Sequence, residues 1–488
     1  MPSPQRTPYS RVFVIEDRAG PANAPLYMGL SRAMAFAWPQ GDITPIRIPD
    51  PDQYGQFLVI DEVRGAQGLP SLPIQTRYSR DMSDLLRLVR KRCPLDLQIH
   101  MGKCQDPRDF NHGWDKILVI EGAYPTDYGV SELGALDSGE DAVINEDVPF
   151  TGRDAYELKR LLVAEFAGTE VVGEVIAVSI CDSRQCGECG LPSDGCQKIF
   201  AVTLVYPGSP GLPAKIVYSP DQGATIGIST IGSLPVNVNP SDMTCVGTYL
   251  VVISNADKSI HYAPIADILD DSETWIEIVI VGAPNAIFSL GSAFTWIVGD
   301  GGVVYFTDDI TAAPVAQSSG VVTNLNDIHG YDELNLLAVG AANVVIYTRN
   351  GGSTWQGITG PPANVGIALN CCWMKGENEW FVGTANGRLY YTRDAGVTWV
   401  EKTFTSSGTS EVHDISFSTP TVGYMAHNAV ILRTIDGGNS WYVLPEDPVS
   451  FPANNKINSL ATCGEDPNFI LGGGLAVGAI DGFLVKAA

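Results

Sequence analysis

Short apolar runs and alternating apolar and polar positions characterise the first third of the chain. Residues 57–60 and 116–120 are apolar runs with the length of buried strands. Residues 95–101 alternate apolar with polar side chains, which predicts a strand with one buried face. Residues 1–180 therefore predict an α+β domain with more strand than helix.

One helix is predicted between these strands. Leu85, Leu88 and Val89 share a helix face, and Asp81 or Ser83 can cap the first turn. Four basic residues near its end complement the helix dipole.

Two later segments are less regular. Residues 126–147 are acidic and rich in turn residues, and they predict an extended loop that reaches a neighbouring subunit. Residues 152–167 fit either a helix or a strand, whereas 171–178 fit a strand.

The second half of the chain repeats one turn with the pattern [Ser/Thr]-x-[Asp/Asn]-x-Gly-x-[Ser/Thr]-[Trp/Ile]. A tight hairpin needs a short side chain that bonds its own backbone and a glycine free to take positive φ. The final large apolar residue can fill the gap between neighbouring sheets. The copies end at Trp355, Trp399 and Trp441, with a weaker copy at 219–226.

This turn resembles the Asp-box of sialidase-like and photosystem-assembly-factor-like β-propellers, and the resemblance covers residues 200–488. The tryptophans are 44 and 42 residues apart, the length of one four-stranded blade. With degenerate units and a last unit from Ile457 onward, the count is seven blades, with six or eight left open. The predicted fold class is mainly β, an α+β domain followed by a seven-bladed propeller.

The formal net charge of −25 at pH 7 argues against binding nucleic-acid phosphates over most of the surface. From residue 200 onward the chain has 26 acidic and 10 basic residues. This charge serves solubility or forms a surface that repels DNA. No apolar run is long enough to predict membrane insertion, and residues 1–8 lack the apolar core of a signal peptide.

The order of strand, helix, alternating strand, tryptophan loop and apolar strand in residues 1–180 resembles the major tail-tube proteins of tailed bacteriophages. The long acidic loop that follows belongs to the same resemblance, with Glu132, Asp137, Glu140, Asp141, Glu146 and Asp147. The resemblance implies a barrel or sandwich that assembles into stacked homo-hexameric rings, alongside other tail proteins, with DNA only as passing cargo. It also implies a virion tail location after assembly in the host cytoplasm.

Residues 181–199 are predicted to be a cysteine-rich hinge between these two domains. Cys181, Cys186, Cys189 and Cys196 could hold one tetrahedral structural zinc, although the outer spacings are shorter than in common zinc ribbons. A pair of disulfides and free thiols are the alternatives. The scattered cysteines, Cys245, Cys371, Cys372 and Cys463 among them, are predicted to be core residues.

No enzyme is predicted. A sialidase-like site holds its substrate with three arginines, but the only arginines after residue 200 are Arg349, Arg388, Arg393 and Arg433, and two of these lie in the repeated turns. The six histidines show no metal or triad spacing.

Three functions remain open from sequence. The first is a structural tail-tube subunit with an outward-displayed propeller. The second is a non-catalytic module that binds a host-surface glycan or protein through Trp296, Trp373 and Trp380, for which blade core is the alternative. The third is an assembly factor.

Overall fold

A computed structural model divides the chain into two compact units, Met1–Arg160 and Leu161–Ala488. Between residues 10 and 167 it describes only the residues that lie in the strands given below, together with Leu161. Beyond these it describes residues 173–181, 198–204, 214–221, 225–228, 234–235, 238–291, 293–404, 411–445, 456–464, 466–475 and 482–487.

The described residues of the first unit form ten strands. They are β1 (Ser10–Glu16), β2 (Leu26–Met34), β3 (Ile43–Pro49), β4 (Phe57–Arg64), β5 (Ser71–Arg77), β6 (Leu95–Met101), β7 (Lys116–Pro125), β8 (Gly129–Leu133), β9 (Ile144–Thr151) and β10 (Asp154–Lys159). Eight of them pair in the order β10-β7-β6-β1-β2-β5-β9-β8, and β3 pairs with β4. β7 also pairs with β9, so six antiparallel strands close a ring of pairings.

Several sequence predictions for this unit are confirmed and two are corrected. The runs at 57–60 and 116–120 lie in β4 and β7. For the segment 152–167, which fits either a helix or a strand in the sequence, the described residues Asp154–Lys159 and, in the second unit, Val163–Ala167 are strands. However, Gln98 and His100 are buried like Leu97 and Ile99, since both faces of β6 are covered. The predicted loop at 126–147 contains β8 and part of β9, which pair as neighbours. The helix predicted before Pro94 lies outside the described residues.

In the second unit the described residues form 28 strands. They are β11 (Val163–Ala167), β12 (Glu174–Cys181), β13 (Lys198–Leu204), β14 (Lys215–Ser219), β15 (Gly227–Ile228), β16 (Pro240–Val246), β17 (Tyr249–Ser254), β18 (Ser259–Pro264), β19 (Ile276–Val279), β20 (Pro284–Leu290), β21 (Phe294–Gly299), β22 (Val304–Thr307), β23 (Val315–Gln317), β24 (Leu325–Gly330), β25 (Leu336–Gly340), β26 (Val344–Thr348), β27 (Gln356–Thr359), β28 (Leu369–Gly376), β29 (Glu379–Thr384), β30 (Leu389–Thr392), β31 (Val400–Lys402), β32 (Val412–Phe417), β33 (Gly423–His427), β34 (Val430–Thr434), β35 (Tyr442–Val443), β36 (Lys456–Thr462), β37 (Ile470–Leu475) and β38 (Gly482–Ala487).

These strands form seven four-stranded antiparallel sheets, and the unit is a seven-bladed β-propeller. Blades 1 to 6 are β12–β15, β16–β19, β20–β23, β24–β27, β28–β31 and β32–β35. Blade 7 combines β36, β37 and β38 with β11, the first strand of the unit, as its outermost strand. This pairing of the first strand of the unit with the last joins the two ends of the propeller within one blade.

The predicted boundaries between the domains need correction. The propeller begins with β11 rather than at residue 200, because β11 and β12 are needed to complete blades 7 and 1. The predicted hinge at 181–199 connects β12 to β13, two paired strands of blade 1. The segment therefore links two strands of one blade rather than two domains.

The repeated turn joins the third and fourth strands in blades 1, 4, 5 and 6, and its predicted hydrogen bonds are present. In blade 5, Thr392 Oγ1 donates to Asp394 Oδ1 at 2.8 Å, and the Thr398 amide donates to the same oxygen at 2.8 Å. Gly396 takes φ 79° and donates its amide to Thr392 Oγ1 at 2.9 Å. Each turn therefore satisfies its own backbone locally.

Blades 2 and 3 differ from this pattern. A short helix, α1 (Ile265–Leu269), follows β18 in blade 2. In blade 3, Thr307, Asp309 and Thr311 form a shorter turn without the glycine, in which Asp309 Oδ1 accepts from the Thr311 amide at 2.9 Å. Within the described residues, no helix is long and apolar enough to cross a membrane.

Candidate functional site: the central channel

The innermost strands of the seven blades surround a central channel. They are β12, β16, β20, β24, β28, β32 and β36, and each contacts the next in a closed ring. Every one has a register shift, a β-bulge, at the same position near its start. A bulge redirects one side chain, and in six blades the redirected residue is polar: Ser241, Asn285, Asn326, Asn370, His413 and Asn458.

Five of these polar residues each bond to the next blade. Asn326 Nδ2 donates to the Leu369 carbonyl at 2.8 Å, and Asn285 Nδ2 donates to the Leu325 carbonyl at 2.9 Å. Equivalent bonds run from Ser241 to Pro284, from Asn370 to Val412 and from Asn458 to Val175. The ring fixes neighbouring blades to each other and satisfies the carbonyls that the bulges leave unpaired.

A second layer contains three aspartates, one position further along the inner strands of blades 2, 4 and 6. In each aspartate, one carboxylate oxygen accepts a hydrogen bond from the backbone amide of the following residue, and the other oxygen accepts one from a backbone amide of the next blade. Asp327, for example, accepts from Ile328 at 2.8 Å and from Cys372 at 2.7 Å. Asp242 and Asp414 repeat this arrangement toward Ile287 and Leu460.

Burial raises the pKa of all three carboxyl groups. It raises the pKa of Asp242 to about 7, of Asp327 to about 6 and of Asp414 to about 8. The backbone amides oppose this shift, whereas the charge of Asp327 raises the pKa of Asp242 and Asp414 further. The channel therefore holds groups that gain negative charge between about pH 6 and pH 8.

A third layer has two different sides. Across blades 3 to 6 the rings of Phe288, His329, Trp373 and Phe417 form an arc, with centroid separations of 4.9, 3.8 and 5.9 Å in that order. Hydroxyl groups occupy other parts of this layer, where Thr244 contacts Ser289 and Ser416 contacts Thr462. The aromatic arc offers ring faces and edges beside the carboxylates.

These layers line a cavity of about 410 Å³, which has room for one long side chain or a small ligand. Its thiols and imidazoles are unsuited to act as nucleophile or base near neutral pH. Burial raises the pKa of Cys371 and Cys372 well above the usual value. Burial lowers the pKa of His329 to about 3 and that of His413 to about 4. The cavity is suited to binding through hydrogen bonds, charge and aromatic contact.

The structure corrects part of the predicted zinc set. Cys181 forms a disulfide with Cys245 in the neighbouring blade, so its sulfur is not available as a zinc ligand. Cys186, Cys189 and Cys196 lie outside the described residues, and a structural zinc there stays a prediction. Among the cysteines predicted to be plain core, Cys371 and Cys372 are buried thiols, whereas Cys245 and Cys463 are disulfide-bonded.

The three tryptophans predicted as ligand contacts separate into two groups. Trp296 and Trp380 are fully buried in the blades, as the core alternative predicts. Trp373 is part of the channel lining. Sequence reasoning did not identify the polar ring or the three aspartates, although an asparagine in the same place of several blades was a usable signal.

The four arginines after residue 200 do not line the channel. Arg349 lies beside Glu377, and Arg388 beside Glu401. Arg433 is buried, with Nη2 3.4 Å from the Pro467 carbonyl oxygen. The described residues that line the channel therefore do not include an arginine.

No protein-family model matches the chain, and no curated protein matches it. Among solved structures it is similar to YCF48 from Cyanidioschyzon merolae, with 14% identity, a TM-score of 0.49 and coverage of 67% of this chain and 98% of that one. A structure of YCF48 bound to D1 peptide has 14% identity and a TM-score of 0.49, with coverage of 67% of this chain and 95% of that one. The structure of U3-55K has 10% identity and a TM-score of 0.49, with coverage of 67% of this chain and 98% of that one. At this level the similarity carries no argument about function.

Proposed function

We propose that the propeller is a non-catalytic binding module whose central channel receives a positively charged side chain of a partner protein. The observation that carries this proposal is the placement of Asp242, Asp327 and Asp414 beside the aromatic arc in one cavity. A guanidinium group combines a positive charge with a flat face that stacks on aromatic rings. An arginine side chain therefore fits both features.

The lining is held in place before any ligand arrives. Each aspartate accepts backbone amides from two blades, and each asparagine of the ring donates to a backbone carbonyl of the next blade. Trp373 is held between His329 and Phe417. Because little side-chain freedom is lost on binding, such a site is preorganised. The strongly acidic balance of the chain also attracts cations and repels anions.

The arginine proposal makes a pH-dependent prediction. N-acetyl-arginine amide binds the full chain, and its affinity rises about tenfold or more between pH 5.5 and pH 8.5, because a cation favours the ionised carboxylates. Isothermal titration calorimetry at several pH values measures this dependence. The neutral isostere N-acetyl-citrulline amide is the matched ligand control and binds at least about tenfold more weakly.

A pair of variants tests the channel directly. Asp327→Asn removes one channel charge, and we expect at least about tenfold weaker binding of the arginine amide. Asp308→Asn removes one charge from an exposed turn and leaves binding unchanged. If the Asp327→Asn variant binds the arginine amide as tightly as the Asp308→Asn variant does, the proposal is contradicted.

A tail-tube role remains a second candidate for the first unit. The observation in its favour is the closed ring of six antiparallel strands with the separate β3–β4 hairpin. In this proposal the first unit assembles into stacked hexameric rings in the virion tail, with DNA as cargo and the propeller binding a host-surface protein or glycan. Assembly would follow in the host cytoplasm, with other tail proteins as partners.

Ring formation by the purified full chain tests this second proposal. Negative-stain electron microscopy is expected to show rings or tubes of uniform diameter, and native mass spectrometry is expected to show hexamers. A chain that stays monomeric at all concentrations and salt conditions would contradict the tube, but it would leave the channel proposal intact.

A further inference from the structure

Asp257, His261 and Glu277 form a cluster on blade 2, away from the lining of the central channel. Asp257 lies in the turn between β17 and β18, His261 lies in β18, and Glu277 pairs directly with His261 from the outer strand β19. One ligand atom from each residue lies within 4.8 Å of the other two. One imidazole nitrogen and two carboxylates are a donor set for first-row divalent metals.

The distances within the cluster suit a small metal ion. His261 Nε2 lies 3.1 Å from Asp257 Oδ2 and 2.7 Å from Ser259 Oγ. Two ligands on one tetrahedral zinc ion, with bonds of about 2.0–2.1 Å, are separated by about 3.3 Å. The imidazole and the Asp257 carboxylate therefore need little movement to share an ion.

Two polar atoms of this cluster are buried without a hydrogen-bond partner among the described residues. They are Asp257 Oδ1 and His261 Nδ1, and the His261 side chain is only 1% exposed. Buried polar atoms without a partner are rare in folded proteins. A cation bound by the Asp257 carboxylate would supply a partner for its Oδ1, the oxygen that lacks one. Coordination through His261 Nε2, the nitrogen that faces Asp257 Oδ2, would place the ring proton on Nδ1.

We propose that Asp257, His261 and Glu277 bind one divalent transition-metal ion of the zinc class, with water completing the coordination. Glu277 is exposed, so the site opens to solvent. The ion would join the β17–β18 turn to the outermost strand of blade 2. Its role is structural, and it is independent of the ligand in the channel.

Cobalt(II) is a suitable probe because its absorption spectrum distinguishes nitrogen and oxygen ligands from thiolates. Titration of the full chain is expected to give one equivalent of visible d–d absorption without a sulfur-to-metal charge-transfer band. Glu277→Gln is expected to weaken cobalt binding at least about tenfold. Its side chain is exposed, so this variant keeps the fold. His261→Gln is expected to abolish the signal.

Glu333→Gln is the matched control, since it removes an equally exposed carboxylate elsewhere on the propeller. It is expected to bind cobalt like the unmodified chain. The site is overturned if Glu277→Gln also binds like the unmodified chain. It is equally overturned if the only absorption observed carries the charge-transfer band, because the ion would then sit on cysteines.

Discussion

Trp441→Ala is expected to destabilise the propeller by about 3–5 kcal/mol, the usual loss for removing a buried tryptophan. The side chain is 5% exposed and packs edge-on against Phe381 and Phe417, with centroid separations of 6.4 and 5.9 Å. These two rings belong to blade 5 and the inner strand of blade 6. The tryptophan that ends the repeated turn therefore fills the space between two sheets, as the sequence pattern predicts.

Chemical denaturation followed by tryptophan fluorescence and circular dichroism measures this loss. Trp441→Phe keeps an aromatic ring in the same space and is expected to lose clearly less than the alanine variant. Val443→Ala, two residues later on the exposed edge strand, stays within about 0.5 kcal/mol of the unmodified chain. A loss below about 1 kcal/mol for Trp441→Ala would show that the turn tryptophan does not hold the blades together.

Loss of the Cys181–Cys245 disulfide is expected to cost about 4 kcal/mol. The bond closes a loop between residues 64 positions apart, and chain entropy predicts a loss of this size for such a loop. Both cysteines lie in one buried cluster with Phe200 and Leu250. The bond therefore joins the cores of blades 1 and 2, next to the closure of the propeller.

The free energy of unfolding of three variants measures this contribution. Cys181→Ala, Cys245→Ala and the double variant should lose nearly the same amount, because either single change already removes the bond. Non-reducing peptide mapping by mass spectrometry should recover residues 181 and 245 in one linked peptide pair. Recovery of Cys181 linked to Cys186, Cys189 or Cys196 would contradict the pairing and restore the cluster predicted from sequence.

The sequence predicts the blades better than it predicts the channel. The repeated turn is visible because its aspartate, glycine and tryptophan act locally, within about eight residues, and its spacing matches one blade. The closing strand β11 is not visible in this way. It completes a sheet whose other strands lie some 300 residues later, and only the folded ring shows that pairing.

The channel residues escape sequence reasoning for a different physical reason. A β-bulge shifts the alternation of the inner strands, so Asn326 and Asp327 both serve the channel although they are adjacent. The aspartates occur only in every second blade, which hides their period. The disulfide partner of Cys181 was also missed, because the nearby Cys186 and Cys189 offered a local pattern while Cys245 lies in the next blade.

A structure of the full chain with N-acetyl-arginine amide tests the central claim most directly. We predict that the guanidinium group lies in the central channel, against Trp373 and within hydrogen-bond distance of a carboxylate of Asp242, Asp327 or Asp414. If the amide saturates the protein and is found only on the acidic outer surface, with the channel lining unchanged, the channel is not the binding site.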